Sequence, residues 1–292
     1  MQSPEAERWP LAEHSRIVRV RPHAWHVQQA GQGPDILLLH GTGASTHSWR
    51  YIYPLLTGSA RVMAIDLPGH GFTRLGNRMR SSLDCVADDV AALCRAEGIA
   101  PALIVGHSAG AAVALRVVDR MGQGARVVGI NPALKPFDGI ARTLFPMAAR
   151  ALAMMPGLTG AAARQMRDPS RVLSLLRGTG SQISTEQANL YARLFRDRVH
   201  VDGALLMMAQ WKLDGLLADL PRIAAPTLFL TGSGDRMVPP VTAVQAADRM
   251  PDAVVESIDG RGHLLHEEDP GAVAARVLDW LHRGECGLSG AS

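Results

Sequence analysis

The sequence predicts an α/β protein built on a doubly wound, mostly parallel sheet, and two observations predict it. Short apolar runs ended by Gly, Asp or Asn recur along the chain, and helical patterns fill the gaps between them. Strands buried on both faces are apolar throughout rather than alternating, and the order β-α-β-α places such strands in one parallel sheet. A third observation marks an exception. From about residue 136 to 220 no buried strand pattern occurs.

Taken in order, Arg16 to Gln29 reads as two strands of an antiparallel hairpin. Asp35-Ile-Leu-Leu-Leu-His40 and Arg61-Val-Met-Ala-Ile-Asp66 are the first buried strands. Ser82 to Glu97 reads as a helix, since Leu83, Val86, Val90 and Leu93 recur at near-helical spacing. Pro101-Ala-Leu-Ile-Val-Gly106 is a strand that runs toward a helix beginning near Ala111, and Arg126-Val-Val-Gly-Ile-Asn131 is the next strand. Residues 136–220 are helical segments rich in Ala, Leu, Met and Arg, with Met147, Met154, Met155, Met166, Met207 and Met208 among them. Their place between two strands suggests a helical cap over the carboxyl ends of the sheet, where such sheets bind ligands. The sheet resumes at Pro226 to Thr231 and Ala253 to Ile258, and a helix from about His266 to Trp280 closes the fold. The expected division is a core of residues 1–135 and 221–292 and a cap of residues 136–220, with Gly284 to Ser292 frayed.

Composition excludes several function classes. The chain has 292 residues, 47% hydrophobic, which rules out disorder as the main state. No run approaches the ~20 apolar residues of a membrane span, and the N-terminus lacks the apolar segment of a secretion signal. A cytoplasmic protein is therefore expected. Thirty basic against 27 acidic residues leave a net charge of +3, too little to argue for nucleic acid. Cys85, Cys94 and Cys286 are few and not in metal-ligand spacing, so reduced thiols are expected.

The chemistry is concentrated in a few short stretches. Gly106-His107-Ser108-Ala109-Gly110 fits G-x-S-x-G, with a strand before it and a helix after it. That context allows a tight turn that thrusts the Ser108 hydroxyl above the sheet, over a helix N-terminus that favours developing anions. A hydroxyl needs a base, and His263 lies on the Gly-rich loop Gly260-Arg-Gly-His263 after the last strand. His266, three residues on, is assigned mainly to the pocket wall or a cap. The orienting carboxylate is Asp235, in the loop Thr231-Gly-Ser-Gly-Asp235, because the other usual place, after the next strand, holds Asn131. Asp66 also ends a strand, but Leu-Pro-Gly-His-Gly after it reads as a structural turn. Oxyanion stabilisation needs backbone N–H groups, and Thr42, in His40-Gly-Thr-Gly-Ala-Ser45, with Ala109 forms the expected pair. The phosphate-loop pattern is absent, and His263-Leu-Leu-His266-Glu267 is not a zinc-protease pattern, so neither a metal nor a cofactor is expected.

These residues resemble the α/β-hydrolase superfamily from about Trp25 to Leu281. Within it, the stretches His40 to Arg50, Asp66 to Thr73, Gly106 to Ala112, and Gly203-Ala-Leu-Leu-Met-Met-Ala-Gln-Trp-Lys212 resemble the magnesium-chelatase-associated hydrolases of bacteriochlorophyll biosynthesis. The resemblance implies a role beside magnesium insertion into protoporphyrin, with chelatase subunits as candidate partners. Peripheral contact with the photosynthetic membrane stays open, since a solvated Arg face is the commoner reading of the mildly basic cap. It does not imply a defined reaction. Ser at position 108 argues against relatives that use Asp there, the epoxide hydrolases and haloalkane dehalogenases. The residues support a serine hydrolase acting on an ester or similar acyl bond of a small-molecule substrate. Met207, Met208 and Trp211 are candidate walls for a flat apolar ligand such as a tetrapyrrole, with core packing as their ordinary alternative. An accessory protein that binds a porphyrin or a chelatase subunit, and a generic carboxylesterase, are the competing readings.

Overall fold

The computed structural model describes residues 8–122, 124–135 and 168–283. Eight strands form one sheet: β1 (Ser15–Val20), β2 (His23–Ala30), β3 (Asp35–Leu39), β4 (Arg61–Ile65), β5 (Pro101–His107), β6 (Arg126–Ile130), β7 (Thr227–Gly232) and β8 (Ala253–Ile258). Their spatial order is β1-β2-β4-β3-β5-β6-β7-β8. The expected hairpin, β1 and β2, is antiparallel and joins β4 in the same sense, while β3 to β8 are parallel throughout.

The apolar runs are explained by the two faces of this sheet. In β3, Leu37 and Leu39 enter one core with Met63, Ile65, Ile104 and Phe229. Ile36 and Leu38 enter the other with Val62, Ala64, Leu103 and Val105. Side chains alternate across a strand, so a strand covered on both faces must be apolar at every position. The first core is covered by α2 (Leu83–Ala96) and α3 (Ala109–Met121), and the second by α1 (Tyr53–Leu56) and the C-terminal helix. Ser82 caps α2 by accepting from the Cys85 N–H at 3.4 Å, and Leu83, Val86, Val90 and Leu93 are all buried.

The chain runs outward from β3 to β4 and then returns to place β5 on the other side of β3. Ligands of such sheets bind outside the carboxyl ends at the point of reversal. Here that point lies between the ends of β3 and β5, where His40-Gly41-Thr42 and His107-Ser108 emerge.

The stretch between β6 and β7 is an excursion between neighbouring strands, since the two pair directly. Its described part holds α4 (Pro169–Gly178), α5 (Thr185–Arg196), α6 (Arg198–Gln210) and α7 (Asp214–Asp219), with no strand among the described residues. Residues 136–167 of the expected cap, with Met147, Met154, Met155 and Met166, lie outside the described residues, as does Cys286. A third apolar cluster joins Val172, Leu176, Ile183, Ala188 and Tyr191 to Ala44 and Leu264. The α4–α5 loop is also tied to the loop after β8, where the Ser181 hydroxyl accepts from the Leu264 N–H at 2.8 Å. None of the described helices is long and apolar enough to cross a membrane.

One element differs from expectation. Past α8 (Val241–Ala247), the helix expected from His266 to Trp280 is two helices, α9 (Leu265–Glu268) and α10 (Pro270–His282), divided at Asp269. Proline has no N–H to give and disfavours helical geometry in the residue before it. Asp269 accordingly leaves the helix (φ −139°, ψ 64°) and caps α10 by accepting from the Ala272 N–H at 3.2 Å.

Asp66, the residue after β4, is a structural hub. Its fully buried carboxylate accepts from His26 Nδ1 at 2.7 Å, from the Thr46 N–H at 2.7 Å and from the Phe72 N–H at 2.8 Å. Burial pushes its pKa up, but His26, His40 and the Phe72 N–H outweigh that and hold it well below the carboxylate range. Removing one member of such a buried set strands the others. Asp66→Ala is expected to lower the unfolding free energy by about 3–5 kcal/mol in urea titration; a loss below about 1 kcal/mol would refute the hub.

Candidate active site

Ser108 sits between β5 and α3 with φ 53° and ψ −116°, a backbone conformation rare for a residue with a side chain. The turn is possible because of the two glycines of the motif. A Cβ at Gly106 would stand 2.2 Å from the Gly110 carbonyl oxygen, and one at Gly110 would stand 2.2 Å from the Leu39 carbonyl oxygen. The Ser108 N–H donates to the Ile130 carbonyl at 2.9 Å, and its own carbonyl accepts from Ala111 and Ala133. Strain of this kind persists only where surrounding structure enforces it.

His263 and Asp235 come together across the loops after β8 and β7. His263 Nδ1 lies 2.8 Å from Asp235 Oδ2, both side chains nearly buried. The other carboxylate oxygen accepts from the Met237 N–H at 2.7 Å and the Val238 N–H at 2.9 Å. An ionised Asp235 can only accept, so Nδ1 carries a proton, and in the neutral ring Nε2 is then the basic nitrogen. Among the described residues the Ser108 hydroxyl makes no hydrogen bond. Contacts between a nucleophile and its base are often long before substrate tightens them.

Two residues that sequence reasoning did not assign hold this pair. Asn131 Oδ1 accepts from the Gly232 N–H at 2.9 Å, and its Nδ2 donates to the carbonyls of Gly262 and His263, each at 2.9 Å. His107, beside Ser108, donates from Nε2 to the same His263 carbonyl at 2.8 Å. The sequence signals were present: a polar residue at a strand end, and a histidine inside the motif. Their partners are over 100 residues away.

The turn after β3 is packed against Ser108. A Cβ at Gly41 would stand 3.1 Å from Ser108 Cβ and 3.0 Å from His107 Nδ1. His40 Nδ1 donates to the Gly41 carbonyl at 2.7 Å, while His40 Nε2 accepts from the Leu67 N–H at 2.9 Å. In a trans peptide the C=O and the next N–H point opposite ways, so pinning the Gly41 carbonyl also aims the Thr42 N–H. Ala109 is the first residue of α3, and its N–H has no acceptor within the helix.

A family model described as the Alpha/beta hydrolase family matches residues 36–276. The chain belongs to this family. It is 43% identical over 275 residues to the magnesium-chelatase 30 kDa subunit of Rhodobacter capsulatus, spanning 94% of this chain and 96% of that relative. It is 26% identical over 273 residues to the 2-hydroxy-6-oxo-6-phenylhexa-2,4-dienoate hydrolase of Burkholderia cepacia, covering 89% and 91% of the two chains. Among solved structures, a thermophilic esterase from Thermogutta terrifontis shares the fold with a TM-score of 0.74 at 23% identity, covering 92% of this chain and 98% of that one.

The alpha/beta hydrolase core places the remaining predicted residues in different settings. Met207, on α6, is buried in the first core and receives the Thr42 hydroxyl at its sulfur, 3.7 Å away. Trp211 is half-buried against the same core, and Met208 is half-buried on α6. His266 is wholly buried, its ring centroid 4.8 Å from Trp49 and 4.3 Å from His107. Among the described residues no group of three His, Cys, Asp or Glu side chains could hold a metal ion.

Burial dominates the electrostatics. It lowers His40 and His200 to about 4 and His70 and His266 to about 3, and it holds His47 and His107 well below the ordinary value. Neighbouring histidines add to the effect, as His70 does on His40 and His263 on His266. Glu267 runs the other way: burial raises its carboxyl, opposed by Arg50 at 2.7 Å and by the Tyr191 hydroxyl.

These shifts set a direction for stability. Between the unfolded histidine value of 6.5 and the folded values of 3 to 4, the unfolded chain binds more protons. The histidine contribution is full above about pH 6.5 and is lost as pH falls toward 4. Urea titrations between pH 6.5 and 4.5 are expected to show unfolding free energy dropping by more than the ~1.4 kcal/mol per pH unit of a single such group. A slope at or below that value would contradict a set of neutral buried imidazoles.

Proposed function

We propose that this protein is a serine hydrolase acting by acyl transfer on an ester or related bond. Ser108 attacks the acyl carbonyl, and His263 Nε2 takes its proton and passes it to the leaving group. Asp235 holds the imidazole through Nδ1, and the N–H groups of Thr42 and Ala109 receive the developing oxyanion. Water then attacks the acyl-enzyme, with His263 again as base. The observation that carries this reading is the 2.8 Å bond between His263 Nδ1 and Asp235, hung from the same Asn131 and His107 that adjoin the Ser108 turn. In this reading the described helices α4 to α7 belong to a cap over this end of the sheet.

The kinship with the Rhodobacter capsulatus chelatase subunit supports placing this activity in bacteriochlorophyll biosynthesis, beside magnesium insertion. A small-molecule substrate of that setting, a tetrapyrrole among the candidates, would meet the cap near Met207, Met208 and Trp211.

A second reading rests on the word subunit in that relative's name. The protein would bind chelatase components or a porphyrin and keep its hydrolase residues without using them. Ser108→Ala separates the two in cells: restored pigment favours the binding role, and lost pigment with normal folding favours catalysis.

The direct test is a fluorophosphonate probe read by intact mass. One adduct is expected on the wild type and none on Ser108→Ala. Asp235→Asn is expected to slow labelling by about 10³–10⁴-fold, because the amide no longer fixes the required tautomer. A folded wild type that takes no adduct overturns the catalytic reading.

A further inference from the structure

We propose that His200, on the inserted helix α6, is a positioning residue for the oxyanion turn: its imidazole pins the Gly43–Ala44 peptide and thereby holds Thr42 in register with Ser108. This inference deepens the serine-hydrolase reading above and rests on it.

His200 is wholly buried and engages both of its ring nitrogens with backbone. Nε2 lies 3.2 Å from the Gly43 carbonyl oxygen, and Nδ1 lies 3.0 Å from the Gly71 nitrogen. A carbonyl only accepts and an amide N–H only donates, so Nε2 carries the proton and Nδ1 is the acceptor. Only the neutral ring makes both bonds. Burial, which lowers its pKa to about 4, keeps it neutral.

Gly43 has φ +78°, and the Ala44 N–H closes the turn on the Gly41 carbonyl at 3.1 Å. His40 holds the peptide before Thr42 from within the core, and His200 holds the peptide after Gly43 from the inserted helix. Thr42 therefore lies between two peptides whose carbonyls are each drawn to an imidazole. Its N–H is left to face the Ser108 turn, against which Gly41 is packed.

Two further contacts on the same face of α6 fix where His200 can stand. Residues 200, 203 and 207 are spaced by about one turn, so they share a face. Gly203 meets Gly69 backbone to backbone: a Cβ on Gly203 would stand 2.1 Å from the Gly69 carbonyl oxygen. Met207 then reaches the Thr42 hydroxyl. The helix is thus registered on the Gly69–Gly71 loop and the oxyanion turn together.

Two conservative variants separate the two bonds. In His200→Gln the amide nitrogen takes the place of Nε2 and keeps the donor to Gly43. In His200→Asn the amide oxygen takes the place of Nδ1 and keeps only the acceptor for Gly71. Each variant loses one hydrogen bond, so a merely structural role moves both alike. Fluorophosphonate labelling rates and p-nitrophenyl acetate kinetics are measured with urea stability on the same full-length proteins. His200→Asn is expected to slow labelling at least tenfold and to lower kcat with KM within twofold, while His200→Gln rescues the rate to within threefold of wild type. Equal loss in both variants, loss in neither, or loss in His200→Gln alone overturns the inference. Should His200→Asn fail to fold, a stable His200→Gln slowed tenfold still overturns it, and one within threefold supports it. If the wild type is not labelled, the hydrolase reading falls and this one with it; if it is labelled and the variants match it, this one falls alone.

Discussion

The site depends on how closely the Ser108 turn approaches the end of β3. The Cα of Gly110 lies so near the Leu39 and His40 carbonyls that a methyl group there would overlap both. At Gly41 a side-chain carbon would stand 3.0 Å from His107 and 3.1 Å from Ser108, closer than ordinary van der Waals contact. With no side chains in between, the loops after β3 and β5 form one surface. The strained Ser108 backbone and the close seating of the Gly41-Thr42 turn on it follow from that contact. They set only the Ser108 side of the site. The Asp235–His263 pair hangs from the loops after β7 and β8 and from Asn131 after β6.

Loops at the carboxyl end of a parallel sheet leave backbone donors and acceptors without sheet partners, and buried ones must be satisfied. This protein meets much of that need with imidazoles. His40 serves Gly41 and Leu67, His107 serves His263, and His200 serves Gly43 and Gly71. A neutral imidazole suits the task because it donates at one nitrogen and accepts at the other, so one side chain joins two loops. The arrangement requires the rings to stay uncharged, which ties the geometry of the site and the acid sensitivity of the fold to one cause.

What the sequence disclosed follows from how local each signal is. Buried strands betray themselves by continuous apolar runs, and β3 to β7 fall within a residue or so of where those runs lie. The Ser108 turn and the loops of Asp235 and His263 were legible because their glycines and neighbouring strands are local too. The break at Asp269 was also written locally, in Pro270, but the apolar periodicity on either side of it hid the division. Asn131, His107 and His200 were not legible in their roles. Each acts on backbone far away in sequence, and nothing beside them states the partner. His266 is near His263 along the chain, but its ring packs on Trp49 and His107, contacts that nothing beside it in the sequence states.

Asn131 has a mechanical consequence. One side chain moors the start of the Asp235 loop at Gly232 and the His263 loop at Gly262 and His263. The strands carrying those loops lie at the edge of the sheet, with β8 outermost, where a sheet breathes most freely. Because both loops are tied to the same amide on a more interior strand, a displacement there carries them in phase. The spacing between carboxylate and imidazole is thereby referred to one shared mount rather than to two separate strand ends.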